Sequence, residues 1–363
     1  MDYMAQALSL ARLALGQVSP NPAVGAVVVR DGEVVGQGYT QPPGSGHAEV
    51  VALQQAGDAA RGSVMYVTLE PCCHHGRTPP CTEAIIDAGV SDVHMAMLDP
   101  NPLVSGKGEE ELSKRSISTY VGEHEDEARE INEAYIKYIT MGVPFVIAKF
   151  AMSLDGKIAT RSGDSRWISG SGSRRYVHSL RYISDAIMVG VNTVLADNPQ
   201  LTSRCGDHGG KTRKQPLRVI VDSLGRTPVT AHIFSEPGET LLALRRPVDP
   251  EVVKALAQTG AELVELPAED GFVDLGELLR ILGRREITSV LVEGGGTLLG
   301  SFFDHRLVDK VVAFVSPVVI GGAEAVTAVG GRGVDKMADA IRLERVATQT
   351  CDDDVIVSGY VGG

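Results

Sequence analysis

Four residues in two short motifs have the types and spacing of a zinc-dependent hydrolytic site. His47 and Glu49 stand two positions apart at the start of one predicted helix, and Cys72 and Cys81 lie at the start of the next. One imidazole and two thiolates form a three-ligand set for zinc that leaves the fourth tetrahedral position to water. A structural zinc site would need four protein ligands, and Cys73 could reach the same metal as Cys72 only by straining the chain. The pattern therefore predicts a catalytic zinc held by His47, Cys72 and Cys81.

Glu49 is predicted to move protons rather than to bind the metal. Zinc lowers the pKa of a bound water towards about 7. A carboxylate two residues from a ligand is placed to take the proton of that water and pass it to a ring nitrogen and then to departing ammonia, as in zinc deaminases. The non-catalytic alternative is a zinc-stabilised binding module fused to an inactive second domain. Such a module would have no use for Glu49.

The elements that must position these motifs alternate between strand and helix. A first helix has Met4, Ala7, Leu8 and Ala11 at helical spacing, and a hairpin turns at Asp31-Gly32. The predicted elements are strands over 24–29 and 33–39, a helix over 47–56, a strand over 64–69, a helix over 78–88, a strand over 93–98 and a closing helix over 123–140. Gly142 and Pro144 then interrupt the pattern. We place a domain boundary there, giving domains 1–143 and 144–363.

Residues 144–363 form a second alternating series, which predicts a second α/β domain with its own core. The predicted strands cover 145–150, 186–189, 217–221, 241–244, 262–266, 289–292, 310–315 and 355–360, and the helices 173–184, 250–259, 274–284 and 297–304. Residues 204–216 lack periodicity and are predicted to form a surface loop.

The charge and composition of the chain argue against nucleic acid and membranes as binding partners. The net charge of the chain is -12, and residues 1–143 contain 9 Lys and Arg against 19 Asp and Glu, a balance of -10. A deaminase that edits transfer RNA would share the zinc motif, but a phosphate-backbone binder normally has the opposite charge. A transfer-RNA editing function would also leave the second domain unexplained. No segment approaches the roughly 18 apolar residues of a membrane span, and five cysteines, three of them clustered, are no disulfide framework. We expect a cytoplasmic homo-oligomer that acts on small molecules, without nucleic acid or membrane as partner.

Longer motifs resemble a known enzyme family. Eight residues separate Cys72 from Cys81, where the general deaminase motif has two, and TLEPCCHHGRTPPC closely resembles the bifunctional riboflavin-biosynthesis deaminase/reductases. The resemblance continues through SPNPAVGAVVV, HAEVVAL, LDPNP, KFAMSLDGKIAT, GDSRWIS, GVNTVLADNPQLTSR, PLRVIVDS and VEGGGTLLGSF. It implies a cytidine-deaminase-like three-layer α/β/α domain followed by a dihydrofolate-reductase-like α/β domain.

The resemblance also implies two reactions in sequence. The first domain would deaminate 2,5-diamino-6-(5-phosphoribosylamino)pyrimidin-4(3H)-one with zinc. The second would use NADPH to reduce the ribosyl arm, giving 5-amino-6-(5-phosphoribitylamino)uracil.

The resemblance further implies where these phosphorylated pyrimidines and NADPH bind. Matched deaminase substrate contacts are Asn21 and Asn101, in two Asn-Pro turns, with Arg77 for the phosphate. Matched reductase substrate contacts are Ser165, Arg181, Leu201, Arg204 and Glu293, with two arginines suited to a dianionic phosphate. Matched NADPH contacts are Ala151, Trp167, Thr193, Asp197, Ser223 and the run Gly295, Gly296, Thr297, Leu298, Leu299, Gly300 and Ser301, where a helix start can cradle a pyrophosphate.

Two assignments stay open from the sequence. Lys149 is either a substrate contact or proton donor of the reductase, or a solvated lysine at a strand end. Arg245 or Arg246 could hold the 2′-phosphate of NADPH, or either could be surface charge.

Overall fold

A computed structural model of the chain describes residues 1–75, 79–165, 168–204, 214–269 and 271–362. The chain divides into two compact units, Met1–Gly142 and Val143–Gly363. Each unit has its own buried apolar cluster. The two-domain α/β fold class expected from the alternating pattern is confirmed. In the part of the chain that the structure describes, every helix is too short or too polar to span a bilayer.

The first unit is built on one five-stranded sheet. Its elements are α1 (Tyr3–Ala14), β1 (Gly25–Arg30), β2 (Glu33–Tyr39), α2 (Ala48–Ala56), β3 (Val64–Val67), α3 (Cys81–Ala88), β4 (Asp92–Met95), α4 (Lys107–Lys114), β5 (Ser118–Val121), α5 (Glu125–Ile131) and α6 (Glu133–Met141). The strand order is β2-β1-β3-β4-β5. Strand β1 is antiparallel to both of its neighbours, whereas β3, β4 and β5 are parallel.

Helices cover both faces of this sheet. A side chain at Gly25 of β1 would overlap the backbone of α1, and one at Gly38 of β2 would overlap the backbone of α2. Gly25 pairs with Tyr39 in the ladder, so Gly25 and Gly38 point to opposite faces. The result is the expected three-layer α/β/α arrangement. The close approach at Gly38 also holds the first turn of α2, which begins directly after His47, against the sheet.

The second unit is built on a nine-stranded sheet. Its elements are β6 (Phe145–Ser153), α7 (Ser171–Ile183), β7 (Ala186–Gly190), α8 (Val191–Asp197), β8 (Leu217–Val221), β9 (Thr240–Arg245), α9 (Pro250–Ala257), β10 (Glu262–Leu266), β11 (Ala268–Glu269), β12 (Phe272–Val273), α10 (Leu275–Arg284), β13 (Ser289–Glu293), α11 (Gly296–Asp304), β14 (Lys310–Ser316), β15 (Leu343–Cys351) and β16 (Asp354–Val361).

The strand order of this sheet is β10-β9-β8-β7-β13-β6-β14-β16-β15. The seven strands from β10 to β14 are parallel, and β16 and β15 continue the sheet antiparallel. Strand β13, at the centre, is buried throughout, as expected for a parallel strand covered on both faces. The carboxyl ends of the parallel strands meet at one edge, where α/β folds bind ligands.

One predicted helix is wrong. Residues 123–140 form α5 and α6 rather than one helix. Between them, the buried Asn132 side chain accepts a hydrogen bond from the backbone N–H of Ala23 and donates one to the carbonyl of Ala23. A contact with a residue 109 positions away therefore interrupts the helix.

Candidate zinc and nucleotide sites

Three elements of the first unit bring together the predicted zinc ligands. His47 directly precedes α2 with an extended backbone, Cys72 lies in the loop after β3, and Cys81 is the first residue of α3. His47 Nδ1 lies 3.2 Å from Cys81 Sγ and 3.6 Å from Cys72 Sγ. The three donor atoms all lie within 4.8 Å of one another.

This donor set fits zinc. Tetrahedral geometry with Zn–S near 2.3 Å and Zn–N near 2.05 Å separates a nitrogen and a sulfur ligand by about 3.6 Å, close to both nitrogen–sulfur distances. Three protein ligands leave the fourth position for water, which is the arrangement of catalytic rather than structural sites. His47, Cys72 and Cys81 are therefore placed as a catalytic zinc centre requires.

The two adjacent cysteines differ in their surroundings. The Cys81 thiol and the backbone N–H of Cys81 both contact Cys72 Sγ, and these hydrogen bonds lower the pKa of Cys72 to about 4. The thiolate that metal binding needs is thus favoured at Cys72. Burial instead raises the pKa of Cys73, which is absent from the three-residue cluster.

Glu49 lies in the first turn of α2 and is buried. Burial raises the pKa of its carboxyl group to about 7. A general acid–base works best when its pKa is near the working pH, because it can then both accept and donate a proton. The structure thus places a buried carboxyl group with a raised pKa two residues from His47, a predicted metal ligand.

The predicted reductase substrate residues include a charged cluster. Lys149 of β6 and Glu293 of β13 are neighbours in the parallel ladder. Arg181 of α7 donates two hydrogen bonds to Glu293, from Nε at 2.6 Å and Nη2 at 2.9 Å, and a third to the carbonyl of Thr202. The Arg181 guanidinium therefore faces a carboxylate and a carbonyl. The prediction that Arg181 binds the substrate phosphate did not anticipate these partners.

Burial and ion pairing together shift the pKa values of Lys149 and Glu293. Burial lowers the pKa of Lys149, whose Nζ lies 5.3 Å from the centre of the Phe314 ring. Burial alone would raise the pKa of Glu293, but the Arg181 guanidinium outweighs it and holds that pKa below its ordinary value. Lys149 thus lies near the Phe314 ring and beside Glu293 in the ladder, in contrast to the solvated lysine considered above.

A cavity of about 570 Å³ lies along the carboxyl ends of β7, β8, β9 and β13. Thr193 and Gly295 are joined there by a hydrogen bond from the Gly295 N–H to Thr193 Oγ1, at 3.0 Å. Six of the residues predicted to bind NADPH line it: Thr193, Ser223, Gly295, Thr297, Leu298 and Ser301. The N-terminus of α11 opens into the same space, and helix N-termini bind anionic groups such as phosphate.

Other predicted residues lie elsewhere. Leu299 is in the apolar core beneath α11, and Ser165 donates a hydrogen bond to Asp197, 3.3 Å away. Gly296, Gly300 and Ala151 are not among the described lining residues. Leu201 is buried, and Arg204 donates to Gln200. The predicted contacts Arg77 and Trp167 lie outside the described residues.

Two family models match separate parts of the chain. The cytidine and deoxycytidylate deaminase zinc-binding region matches residues 1–97, and the RibD C-terminal domain matches residues 144–357. The riboflavin biosynthesis protein RibD of Aquifex aeolicus is 41% identical over 357 residues, covering 98% of this chain and 97% of its own. The chain belongs to the RibD family. The RibD protein of Escherichia coli is likewise 41% identical over 349 residues, covering 93% of each chain.

Solved structures agree over nearly the whole length. Acinetobacter baumannii RibD has a TM-score of 0.88 and 38% identity, covering 99% of this chain and 98% of its own. A Thermotoga maritima protein, named a diaminohydroxyphosphoribosylaminopyrimidine deaminase/5-amino-6-(5-phosphoribosylamino)uracil reductase, has a TM-score of 0.85 and 36% identity with the same coverage. The resemblance drawn from the motifs is confirmed. This RibD-family chain is an enzyme of riboflavin biosynthesis with a deaminase and a reductase domain.

One buried carboxylate beside the metal motif was missed from the sequence. Glu70 accepts four backbone hydrogen bonds of 2.9–3.2 Å: its Oε2 from Asp99 and Gly106, and its Oε1 from Gly108 and Glu109. The amides come from the LDPNP loop and the first turn of α4. Glu70 therefore ties the segment that carries the metal motif to a loop 29 to 39 residues later.

The LDPNP loop carries Asn101, one of the predicted substrate contacts. Asp99 accepts hydrogen bonds from the backbone N–H of Asn101 at 2.9 Å and from the hydroxyl of Tyr135 at 3.0 Å. Asn101 is thus connected to Glu70 through Asp99. Asn21, the other predicted contact, is partly buried between α1 and β1.

Replacing Glu70 with alanine should weaken substrate binding without removing zinc. The change leaves two buried and two partly buried N–H groups without their acceptor. A buried N–H costs roughly 1–3 kcal/mol when unsatisfied, so we expect at least about 2 kcal/mol of lost stability in the first unit. With the LDPNP loop released, KM for deamination should rise more than kcat falls. The exposed Glu110, which pairs with Lys114 on α4, provides the control, because removing a surface pair costs at most about 1 kcal/mol. Denaturant unfolding and steady-state kinetics measure both effects. An unchanged KM in folded Glu70→Ala protein would contradict this role.

The approach of α11 to a neighbouring loop gives a prediction for the second unit. A side chain at Gly296 would lie 2.5 Å from the carbonyl oxygen of Thr327 and 3.3 Å from the amide of Gly330, which borders the cavity. Overpacking of this kind typically costs about 1–3 kcal/mol. Gly296→Ala should therefore lower the thermal midpoint and weaken NADPH binding in a fluorescence titration. Gly276→Ala in α10, where the nearest atom is 3.4 Å away, should leave both unchanged; equal effects of the two variants would refute the steric explanation.

Proposed function

We propose that residues 1–143 catalyse zinc-dependent deamination of 2,5-diamino-6-(5-phosphoribosylamino)pyrimidin-4(3H)-one. Residues 144–363 then reduce the ribosyl arm with NADPH to give 5-amino-6-(5-phosphoribitylamino)uracil. The convergence of His47 Nδ1 and the sulfurs of Cys72 and Cys81 beside the buried Glu49 carries the proposal. A solely structural zinc would not need an acid–base group there.

In the deaminase, the proposed division of labour separates metal binding from proton transfer. His47, Cys72 and Cys81 hold zinc, which when bound lowers the pKa of a water molecule towards about 7. Glu49 would take up the two protons of the attacking water one after the other, as the water oxygen bonds to the ring carbon that bears the amino group. It would pass the first proton to the ring nitrogen and the second to the departing amine, so that the carbon–nitrogen bond breaks and ammonia leaves.

In the reductase, the lysine–glutamate–arginine cluster lies where substrate is proposed to bind. NADPH, when bound, supplies the two electrons of the reduction. Lys149 holds a proton at Nζ that it can give to the reduced sugar, and its lowered pKa favours that transfer. Glu293, held by Arg181, orients Lys149 from the adjacent strand. Because Arg181 is paired with Glu293, its proposed role is to position Glu293 rather than to bind phosphate directly. Arg204 is then the arginine proposed to contact the phosphate.

The remaining features of the proposal follow from charge and from the family. The acidic first domain counts against nucleic acid or an anionic membrane surface as partner, and the family supports small phosphorylated pyrimidines as substrates. We further propose NADPH in preference to NADH, a cytoplasmic location and a homo-oligomeric assembly. Family membership counts against a transfer-RNA editing enzyme.

One incubation tests the proposed function. Purified protein is supplied with the diaminopyrimidinone phosphate, with and without NADPH, and products are identified by mass. Without NADPH, only the compound with one amino group replaced by oxygen should form, together with ammonia. With NADPH, that compound should gain two hydrogens. Failure to release ammonia from zinc-loaded protein would refute the deaminase assignment, and failure to reduce the deaminated compound would refute the reductase assignment.

A further inference from the structure

The cavity of the second unit is cationic at its β8–β9 end. Ser223 and Arg226 follow β8, and Arg245 is the last residue of β9. The ladder pairs Val221 with Ala243, so Ser223 and Arg245 each lie two residues beyond the same register position. The N-terminus of α11 follows β13, which lies three strand positions from β9 in the order β9-β8-β7-β13. At the usual strand spacing these three positions correspond to about 14 Å. The two ends of the cavity can therefore contact different parts of one extended nucleotide.

Arg245 lines the cavity, whereas Arg246, the next residue, is not among the described lining residues. The Nη1 of Arg245 donates to the carbonyl of Gly271 at 3.1 Å, whereas its Nε is buried with no partner among the described residues. Arg246 donates from Nη2 to the carbonyl of Glu265. Arg245 is therefore part of the described cavity wall at the end of β9, and Arg246 is not. This difference in position separates the two arginines that the sequence left equivalent.

The other lining cations are less suited to a phosphate. Arg226 donates to the side chain of Asn192 at 2.8 Å. Arg332 lies next to Asp304, whose carboxylate accepts the Arg332 backbone N–H. Asp304 is the only acidic residue among the described lining residues, and it lies at the far end of α11.

No carboxylate among the described lining residues stands at the β8–β9 end. A site that selects an unphosphorylated nucleotide normally places an Asp or Glu there to accept the ribose 2′-hydroxyl, whereas an arginine accommodates a 2′-phosphate. Asp222, one residue before Ser223, is fully buried and accepts hydrogen bonds from the backbone and hydroxyl of Thr227. Asp222 is not among the described residues that line the cavity.

We propose that Arg245 binds the 2′-phosphate of the nicotinamide nucleotide and so makes the second unit select NADPH over NADH. Ser223 lies at the same register position on the adjacent strand end, and Arg226 adds positive charge. The proposal rests on the reductase function proposed above and names the residue that sets its cofactor preference.

Two redox-inactive nucleotides test the assignment in the full-length protein. Adenosine 2′,5′-bisphosphate and adenosine 5′-monophosphate differ only in the 2′-phosphate, and calorimetry gives the affinity for each. Wild-type protein should bind the bisphosphate about 10- to 100-fold more tightly, as expected for charged hydrogen bonds. Arg245→Ala should lose most of this preference and keep its affinity for the monophosphate, which also reports a folded site. Arg245→Lys, which keeps the positive charge but lacks the planar guanidinium, should retain part of the preference for the bisphosphate.

Arg246→Ala is the matched control and should keep the full preference. The proposal is overturned if Arg245→Ala still discriminates as the wild type does, if Arg246→Ala loses discrimination equally, or if the wild type does not discriminate. Reduction assays with NADPH and NADH separate this result from the proposed function. Reduction of the deaminated substrate by wild-type protein with either nucleotide upholds the reductase even when the Arg245 assignment fails.

Discussion

Glu49→Gln protein should lose deamination while keeping both its zinc and its reductase activity. Glu49 is the proposed proton carrier and is not one of the three metal donors. Glutamine preserves the size of the side chain and cannot exchange a proton. Loss of general acid–base catalysis typically costs 10²- to 10⁴-fold, so we expect ammonia release to fall by about that factor. NADPH oxidation with the already deaminated pyrimidine should continue at the wild-type rate.

Three measurements on the same preparation make this result decisive. Zinc content shows that the metal site is intact, ammonia release reports the first reaction, and NADPH oxidation reports the second. Glu83→Gln, which changes an acidic residue in the first turn of α3, is the control and should leave all three unchanged. If zinc-loaded, folded Glu49→Gln protein loses both activities, the two sites are not independent and the division of labour is wrong.

Cys81→Ser should abolish deamination by removing the metal. Cys81 is fully buried at the start of α3, and its Sγ lies 3.2 Å from His47 Nδ1. A serine hydroxyl is a poor zinc ligand, and two remaining ligands do not make a stable site, so zinc should fall from about one per chain to a small fraction. Cys72→Ser should behave in the same way.

Cys73→Ser is the matched control for both changes. Cys73 is adjacent to a ligand and of the same residue type, but it lies outside the three-donor cluster. Zinc content and ammonia release should both stay at wild-type levels, with metal measured by mass spectrometry after dialysis. Zinc loss in Cys73→Ser with retention in Cys81→Ser would show that the ligands are misassigned.

The features that the sequence predicted well depend on local patterns. Strands β2, β8 and β10 have the predicted bounds, because short apolar or alternating runs define them. Helix α1 buries Met4, Ala7, Leu8 and Ala11, as their spacing predicted. The zinc ligands could be predicted because His47 and Cys81 stand at the starts of α2 and α3. Helix starts can be recognised from the residues around them.

The elements that were missed lack such patterns. Helix α4 buries only Gly108 and Leu112, and β5 and β15 consist mostly of exposed residues, so neither helical nor alternating periodicity stands out. Helix α8 has only seven residues.

Pairing between polar residues that are distant in the chain could not be predicted from the sequence either. Arg181 and Glu293 were both expected to contact substrate, and their 112-residue separation gives no sign that they bind each other. The partners of Glu70 are backbone amides, which any residue can supply, so no pattern in the sequence marks Glu70. Arg245 and Arg246 became distinguishable only when the position of each relative to the cavity was known.

Removal of zinc from wild-type protein tests the central claim, that one chain holds a zinc-dependent deaminase and a separate zinc-independent reductase. Zinc is withdrawn in steps with a chelator, and ammonia release and NADPH oxidation are measured at each zinc content, with the deaminated pyrimidine as reductase substrate. Ammonia release should fall in proportion to bound zinc and return when zinc is restored, while NADPH oxidation stays constant. Ammonia release that persists without metal, or NADPH oxidation that falls in parallel while the protein remains folded, would contradict the claim.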